Sequence, residues 1–422
     1  MKVMSLIKDK LLKSDFNRNV LILAGGTAVA QAVPILISPI LTRLYTPEDF
    51  GAFAIFTSIT SIVSVIACGR YELAIMLPEK DEDAINVAAV AFLFNVFIST
   101  LFFLIILFCG DWLLEVLNAK NLGWLIYLAP LSVFLAGTFS ILNYTNNRFK
   151  LYKDISKANI YKSLAGAVVQ VIMGFFKFGA VGLVSGNLIS QFTSNFKLLK
   201  NIKSYFSYVR WELIKVNFFS YKKFPTYSMF GAFLDNLSSN LFLLFIPYYF
   251  GVKLAGLYFF SWKLINVPFS LIASSISQVF FREISFLLKE NIKDAKSFLF
   301  NTTLKLFYIS VIVNLLLLIF IYLFWEIVFG KDWEEGKIIA IFLVVAYMVR
   351  FIASPLSITL VAVNKLEYLV LWQGLYLLIE MLVCSISYML NLDFNKFLIL
   401  VLIGEWLSYS VYLHIIYRSI KH

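Results

Sequence analysis

Long apolar runs recur from one end of the 422-residue sequence to the other. Each contains about 20 residues or more, and at a rise of about 1.5 Å per residue such a helix crosses a hydrocarbon layer about 30 Å thick. Charged residues make up only 14% of the chain, compared with about 25% in soluble domains. The sequence therefore predicts an all-α, polytopic membrane protein. We place about twelve transmembrane helices at residues 19–43, 51–77, 84–110, 122–147, 156–176, 180–200, 224–249, 254–281, 298–325, 336–363, 366–390 and 394–418.

Lysine and arginine are distributed unevenly between the two sides that these helices define. With the N-terminus inside, 24 of the 36 Lys and Arg residues fall in inner segments and seven in outer segments. Positive residues of short loops concentrate on the cytoplasmic side, so we expect both termini to be cytoplasmic. The Lys-rich opening, residues 1–13, has no signal-peptide pattern and is predicted to be an amphipathic cytoplasmic helix. The net charge of +11 follows from this topology, and nucleic-acid binding is not expected.

No residue pattern points to a cofactor or a metal. The cysteines Cys68, Cys109 and Cys384 lie in different predicted helices, and the two histidines lie near the C-terminal end. Neither a disulfide framework nor a metal site of His and Cys is therefore expected. The sequence contains no G-x-x-x-x-G-K-[ST] pattern, so it does not bind ATP through a P-loop.

The longest inner connection divides the predicted helices into six and six. We therefore predict an N-terminal lobe at 1–200, a cytoplasmic linker at 201–223 and a C-terminal lobe at 224–422. The stretches EDFGAF (48–53) and KLAGLY (253–258) share a glycine followed two residues later by an aromatic residue. Because each half would contain six helices, both halves would start on the same side of the membrane. The two halves would then be parallel repeats related by an axis along the membrane normal, as in one class of alternating-access transporters.

Polar side chains recur at steps of three or four along five predicted helices, which places them on one face of each helix. Such faces line wet cavities, but small polar residues also pack membrane helices together, so the pattern alone leaves both interpretations open. Ionisable residues favour a cavity, because a charge at the bilayer centre costs roughly 2.5–3.5 kcal/mol and should face protein or water. Those predicted near the bilayer middle are Asp235, Arg350, Glu380 and Glu405, with Lys263 toward the outer side and Arg70, Glu72 and Lys305 toward the inner side.

Arg70 and Glu72 belong to the stretch ACGRYELAIMLP (67–78), which closes the predicted second helix. Residues two apart point to nearly opposite sides of a helix, so we expect these two side chains to have separate partners. Arg70 lies about 10 Å from the inner end of the predicted helix. That distance also allows its side chain to extend to the lipid headgroups.

Two stretches near the start resemble a known family. LTRLYTPEDFGAFAIFTSI (41–59) and GRYELAIMLPEKDEDAINV (69–87) are similar to the opening of bacterial polysaccharide-repeat-unit transporters, the O-antigen or Wzx-type flippases. FGAVGLVSGNLIS (178–190) resembles the glycine-patterned junction of helices 5 and 6 in those proteins. Their superfamily also contains multidrug and toxin extrusion proteins and the lipid II flippase. The resemblance covers the whole chain in helix number and spacing, and about its first quarter in residues.

The resemblance implies a non-enzymatic transporter of the bacterial cytoplasmic (inner) membrane. Two six-helix lobes would surround a central cavity and alternate in access to the two sides. The cargo would be an undecaprenyl-diphosphate-linked oligosaccharide of O-antigen or capsule type, moved from the cytoplasmic to the periplasmic leaflet. Membrane lipid would hold the polyprenyl tail, and the polysaccharide polymerase and chain-length machinery would be further partners.

Three groups of candidate residues follow from this implied cargo. A diphosphate is held best by Arg and Lys, for which the candidates are Arg70, Lys263, Lys305 and Arg350. Sugar hydroxyls and ring faces need amide and aromatic side chains, for which the candidates are Gln31, Asn143, Asn147, Tyr347, Gln373 and Tyr376. A carboxyl group within the membrane can exchange a proton or Na⁺, and the candidates for ion coupling or gating are Glu72, Asp235, Glu380 and Glu405.

Several alternatives stay open. A drug exporter of the same superfamily often has an acidic residue in helix 1, whereas none lies between Asn19 and Thr42. The lipid II flippase carries a cargo with the same lipid diphosphate. A polyprenyl-dependent glycosyltransferase or polymerase is suggested by the D-x-D pattern at 81–83, but the predicted outer loops are too short for a large catalytic loop. That acidic run is also typical of a solvated helix cap.

Overall fold

The computed structural model describes residues 15–420, except for the side chains of 15–21, 121 and 366. Within this range the regular elements are all helical, so the predicted all-α class is confirmed. The predicted amphipathic helix of residues 1–13 lies outside the described residues. The described chain contains twelve long helices, α1–α12, at Asp15–Leu44, Pro47–Ala67, Asp81–Val116, Ala129–Arg148, Tyr152–Phe175, Ala180–Ile202, Met229–Phe250, Val252–Glu290, Ile292–Phe329, Glu334–Leu356, Leu366–Met389 and Phe394–Ser419. Shorter helical segments lie at Tyr71–Ala74, Lys120–Leu128, Lys203–Tyr208, Trp211–Ser220, Phe224–Ser228, Lys331–Trp333 and Ile358–Ala362.

Each long helix overlaps one predicted transmembrane segment. In the described part of the chain, eleven helices are long and apolar enough to cross a membrane, and α6 is the long helix that is not among them. Two polar residues of α6 are bonded to α4: Gln191 donates to Ser132 Oγ at 3.2 Å, and Asn195 donates to the Leu135 carbonyl at 2.8 Å. The polarity of α6 thus serves helix packing, and the predicted polytopic arrangement is confirmed.

The second predicted helix ends ten residues earlier than the sequence indicated. α2 stops at Ala67, and Gly69 and Arg70 follow with φ values of 58° and 60°. Two successive left-handed residues cannot continue a right-handed helix, and glycine adopts this conformation readily whereas arginine rarely does. The chain then forms the short helix Tyr71–Ala74 and enters α3 at Asp81. The prediction of one continuous helix over 51–77 is therefore wrong.

The chain forms two compact units. The first comprises residues up to 45 together with 56–233, and the second comprises 46–55 together with 234–422. Thr46 and the first nine residues of α2, up to Ile55, therefore belong to the second unit. The predicted linker 201–223 lies within the first unit, and division of the chain into lobes at these residues stays a prediction.

Glycines allow close helix packing in the first unit. A Cβ atom on Gly26 of α1 would overlap Ser156 of α5, and one on Gly186 of α6 would overlap Gln170 of α5. The hydroxyl of Tyr45, at the end of α1, donates to the Gln170 carbonyl at 2.6 Å. Small residues of this kind bring the backbones of membrane helices together, so α1, α5 and α6 form one tightly packed group.

The predicted repeat has a structural counterpart within the second unit. A Cβ atom on Gly256 of α8 would overlap the Pro47 carbonyl oxygen, and one on Gly51 of α2 would overlap the Val252 carbonyl oxygen. Pro47 and Gly51 each correspond to the residue 205 positions later, namely Val252 and Gly256. The starts of α2 and α8 therefore contact each other through equivalent atoms, which is the geometry of a local two-fold axis.

Candidate functional site

A buried charged cluster lies in the second unit, where α10, α11 and α12 pack together. Arg350 of α10 places Nη1 3.7 Å from Oε1 of Glu405 on α12, and Tyr376 of α11 donates its hydroxyl proton to the same oxygen at 2.8 Å. The side chain of Glu405 is 4% exposed, whereas that of Arg350 is 28% exposed. Because Glu405 is the deeper partner, it depends on Arg350 and Tyr376 for compensation of its charge.

Glu380 adds a second carboxyl group to this cluster. It follows Tyr376 by one helical turn on α11, so the two side chains share a helix face, and it is 4% exposed. A tyrosine hydroxyl has one proton to donate and otherwise only accepts. That proton goes to Glu405, so the Tyr376 hydroxyl does not also donate to Glu380. The cluster thus contains two buried carboxyl groups and one guanidinium.

Oxygen atoms of both carboxyl groups remain without a hydrogen bond. Oε2 of Glu380 and Oε2 of Glu405 are buried and have no hydrogen-bond partner among the described residues. Buried polar atoms are normally satisfied, so these two oxygens are positions where a proton, a cation or water would be stabilised. No group of three or more His, Cys, Asp or Glu residues in the described chain is placed to hold a metal ion.

Aromatic rings enclose the cluster. The guanidinium of Arg350 lies 4.8 Å from the ring centre of Tyr347 and 5.5 Å from that of Tyr409, which are cation–π distances. Trp372 stacks on Tyr412 at 3.9 Å and on Tyr376 at 5.3 Å. Tyr347 and Tyr376, the predicted sugar-binding tyrosines, are both buried and engaged with protein groups. In this conformation their rings support the charged cluster.

A second polar pair joins α7 and α11 in the same unit. Gln373 donates from Nε2 to Oδ1 of Asp235 at 3.3 Å, and Asp235 is an exposed residue. Gln373 lies three residues before Tyr376, on the same helix. The structure thus places one predicted sugar-binding residue and one predicted coupling residue in direct contact.

Two predicted cations of the second unit have no acidic partner within the described residues. The ammonium of Lys263 lies 5.7 Å from the ring centre of Phe259, one turn earlier on α8. Lys305, on α9, is exposed. Because neither is engaged in an ion pair, each can donate hydrogen bonds to a phosphate oxygen without first losing a carboxylate.

The first unit contains an ion pair that the sequence did not predict. Arg70 Nη1 lies 3.6 Å from Glu72 Oε1, so the expectation of separate partners is wrong. That expectation assumed a helix, but the left-handed backbone of Arg70 turns its side chain toward Glu72. Glu72 lies in the connection between α2 and α3, where burial raises the pKa of its carboxyl while its backbone hydrogen bond and Arg70 act in the opposite direction.

Gln31 lies on α1, and Asn143 and Asn147 lie on α4, all in the first unit. Asn143 and Asn147 are both half-buried and one turn apart on α4, so they share a helix face. Gln31 of α1 has a buried Oε1 without a hydrogen bond in the described structure. These amides have hydrogen-bonding capacity to spare, as sugar recognition requires.

The structure also shows charged and aromatic residues near these sites that the sequence pattern did not indicate. Lys162 of α5 lies with its ammonium 4.1 Å from the ring centre of Phe139 and has no acidic partner in the described chain. Tyr409 lies one turn after Glu405, and Trp372 donates to the Ser408 carbonyl at 3.2 Å. The spacing of Tyr409 and Glu405 on α12 was a visible signal, because residues four apart share a helix face. The role of Trp372 depends on tertiary contacts alone.

Comparison with known proteins defines the family. Residues 40–338 match the sequence model of a family described as "Polysaccharide biosynthesis protein". The chain belongs to this family. An uncharacterised membrane protein of the cps region of Klebsiella pneumoniae is 22% identical over 78% of this chain and 67% of its own length. The succinoglycan biosynthesis transport protein ExoT of Rhizobium meliloti is 21% identical over 63% of this chain and 52% of its own length.

Solved structures share the fold of this polysaccharide biosynthesis family member. An inward-facing multidrug resistance transporter of the MATE family, in the MOP superfamily, gives a TM-score of 0.69 at 15% identity, covering 93% of this chain and 94% of the other. An outward-facing structure of such a transporter gives 0.65 at 16% identity, covering 98% and 97%. This member of the polysaccharide biosynthesis family therefore has a MATE-type membrane fold.

Proposed function

We propose that this protein is a flippase that moves undecaprenyl-diphosphate-linked oligosaccharide repeat units, of O-antigen or capsule type, across the bacterial inner membrane. Transport would run by alternating access from the cytoplasmic to the periplasmic leaflet, with both termini in the cytoplasm. The match of residues 40–338 to the polysaccharide biosynthesis family carries this proposal. The MATE-type fold supports a transporter, because the solved proteins that share it are transporters.

The cationic side chains supply two kinds of phosphate ligand. Lys263 and Lys305 have no acidic partner among the described residues and suit direct contact with a diphosphate. Arg70 and Arg350 are paired with Glu72 and Glu405. Each arginine would have to leave its carboxylate partner in order to bind phosphate. Phosphate binding would therefore compete with the ion pair. Gln31, Asn143 and Asn147 would contact the sugars through their free amide groups.

The paired carboxyl groups supply a route for ion coupling. When phosphate draws Arg350 away from Glu405, two neighbouring carboxylates, Glu380 and Glu405, would lose their single positive partner. Uptake of a proton or Na⁺ would then restore neutrality, because buried charge without a partner is costly. Two further carboxylates lie beside proposed cargo-binding residues: Asp235 beside Gln373, and Glu72 beside Arg70. Binding of the cargo at Gln373 or Arg70 would be linked to binding of a proton or Na⁺ at these carboxylates.

Mass spectrometry of the lipid-linked glycans in a deletion strain tests the proposed function. Loss of a flippase should leave completed sugar-lipid in the inner leaflet, where a membrane-impermeant sugar-modifying reagent applied to spheroplasts does not reach it. Accumulation of incomplete sugar-lipid would indicate a glycosyltransferase and would overturn the proposal. An unchanged pool of sugar-lipid would likewise contradict it.

A further inference from the structure

The connection between α6 and α7 is an ordered part of the first unit. It contains the 3₁₀ segment Lys203–Tyr208 and the helix Trp211–Ser220. Asn86 of α3 accepts a hydrogen bond from the Arg210 backbone N–H at 2.9 Å and donates to the Tyr208 carbonyl at 2.9 Å. One asparagine thus holds both sides of the turn that precedes this helix.

Further contacts hold the inner face of the helix against the unit. Ile214 is buried in a core cluster with Tyr71 and Val87. The Tyr71 hydroxyl donates to the Phe218 carbonyl at 2.8 Å, and the rings of these two residues stack at 6.1 Å. The orientation of the helix is therefore fixed, and its opposite face is fixed with it.

That opposite face carries large apolar side chains, together with the charged Glu212 and Lys215, although it points away from the protein. Trp211, Val216 and Phe219 are 62%, 60% and 66% exposed. Trp211, Lys215 and Phe219 follow one another at steps of four, so they lie along one side of the helix. A connection in water would present polar side chains at these positions, whereas a helix lying in the membrane interface presents aromatic and basic residues together.

The connection between α6 and α7 carries mostly positive charge. Arg210 is paired with Glu82 at 3.4 Å, and Glu212 is the single acidic residue between 200 and 223. Five lysines are exposed and form no ion pair with any described residue, namely Lys200, Lys203, Lys215, Lys222 and Lys223. Their combined charge complements an anionic surface.

We propose that residues 200–223, here called the basic connection, bind anionic phospholipid headgroups of the membrane in which the protein resides. Trp211, Val216 and Phe219 insert at the level of the headgroups, and the lysines contact the lipid phosphates. Anionic lipid attracts basic segments at the membrane surface, and aromatic side chains are favoured at the interface. Because Asn86 and Tyr71 hold the connection, the bound lipid fixes this end of the first unit at the membrane surface.

Hydrogen exchange of the full chain in lipid nanodiscs tests this assignment. Backbone amides of residues 209–223 should exchange severalfold more slowly in discs that contain phosphatidylglycerol than in discs of phosphatidylcholine alone. High salt should reduce the difference, because it screens exposed charges. The triple variant Lys215→Gln, Lys222→Gln, Lys223→Gln should abolish the lipid dependence, and fewer phosphatidylglycerol molecules should remain bound to it in native mass spectrometry.

A variant of equal charge change provides the control. Lys289→Gln, Lys293→Gln, Lys296→Gln removes three exposed lysines from the second unit and should leave the lipid dependence of residues 209–223 intact. Equal exchange of the wild-type protein in the two kinds of disc would overturn the proposal and would favour a protein as the occupant of this face. Equal loss in both triple variants would also overturn it, because the effect would then reflect net charge alone. Neither readout involves glycan transport, so the lipid assignment and the proposed function fail independently.

Discussion

At the scale of single residues, the buried cluster of the second unit depends on one hydroxyl group. Tyr376 bonds to Glu405, and Arg350 is the cation paired with Glu405. The sequence could indicate each of these residues, because ionisable groups stand out in apolar helices. It could not indicate that they contact one another, since that depends on how α10, α11 and α12 are rotated about their axes. It also could not show that Tyr347 and Tyr376 are occupied by protein contacts.

Replacement of Tyr376 by phenylalanine tests the hydroxyl. Tyr376→Phe removes the hydrogen bond that Glu405 Oε1 accepts at 2.8 Å and leaves the ion pair with Arg350 in place. The variant should lower the free energy of unfolding by about 1–3 kcal/mol. The measurement is the thermal unfolding midpoint of the purified protein. Tyr388→Phe, at an exposed position of the same helix, should leave the midpoint unchanged. Equal midpoints for both variants would show that the Tyr376 bond contributes nothing.

Neutralising the cations separates a binding role from a structural one. Lys263→Gln should lower glycan transport while leaving the unfolding midpoint unchanged, because Lys263 has no acidic partner in the described chain. Arg350→Gln should lower both, because it leaves Glu405 buried and uncompensated. The double variant Arg350→Gln, Glu405→Gln should recover stability without recovering transport. Full transport in Lys263→Gln would remove this lysine from the proposed phosphate ligands.

At the scale of elements, helix number and helix ends differ in how well the sequence determines them. Apolar runs predicted all twelve long helices, and eleven of the described helices are long and apolar enough to cross a membrane, α6 being the exception. The end of α2 at Ala67 was missed, because Gly69 and Arg70 stop the helix through their left-handed backbone while the apolar run continues to Leu77. Hydropathy contains no information on backbone angles. The single glycine at 69 was the available signal.

The contact of α2 with α8 gives a prediction at this scale. Gly256→Ala should place a methyl group against the Pro47 carbonyl and push the two helices apart, at a cost of about 1–3 kcal/mol. Helix propensity alone would change stability in the other direction, by roughly 1 kcal/mol. Gly374→Ala, where no atom lies within 4 Å of the new Cβ, should leave the unfolding midpoint equal or slightly higher. A Gly256→Ala midpoint equal to that of Gly374→Ala would contradict the close contact.

At the scale of the whole molecule, the sequence anticipated a polytopic helical protein and its family, because both depend on features that recur along the chain. The proposed orientation rests on the distribution of lysine and arginine and can be tested by labelling. In a cysteine-free background, Lys331→Cys should react with a membrane-impermeant maleimide on spheroplasts with an intact membrane. Lys289→Cys should react only after the membrane is opened. The reverse pattern would show that the termini are periplasmic.

Reconstitution tests the central claim most directly. Proteoliposomes containing the purified protein and an undecaprenyl-diphosphate-linked oligosaccharide would be treated with a membrane-impermeant glycosidase, and the fraction of sugar that becomes accessible from the opposite leaflet would be followed over time. The proposed function predicts protein-dependent exposure of the sugar, slowed in Lys263→Gln and retained in Tyr388→Phe. If the folded wild-type protein exposed no more sugar than protein-free vesicles do, a flippase activity would be contradicted.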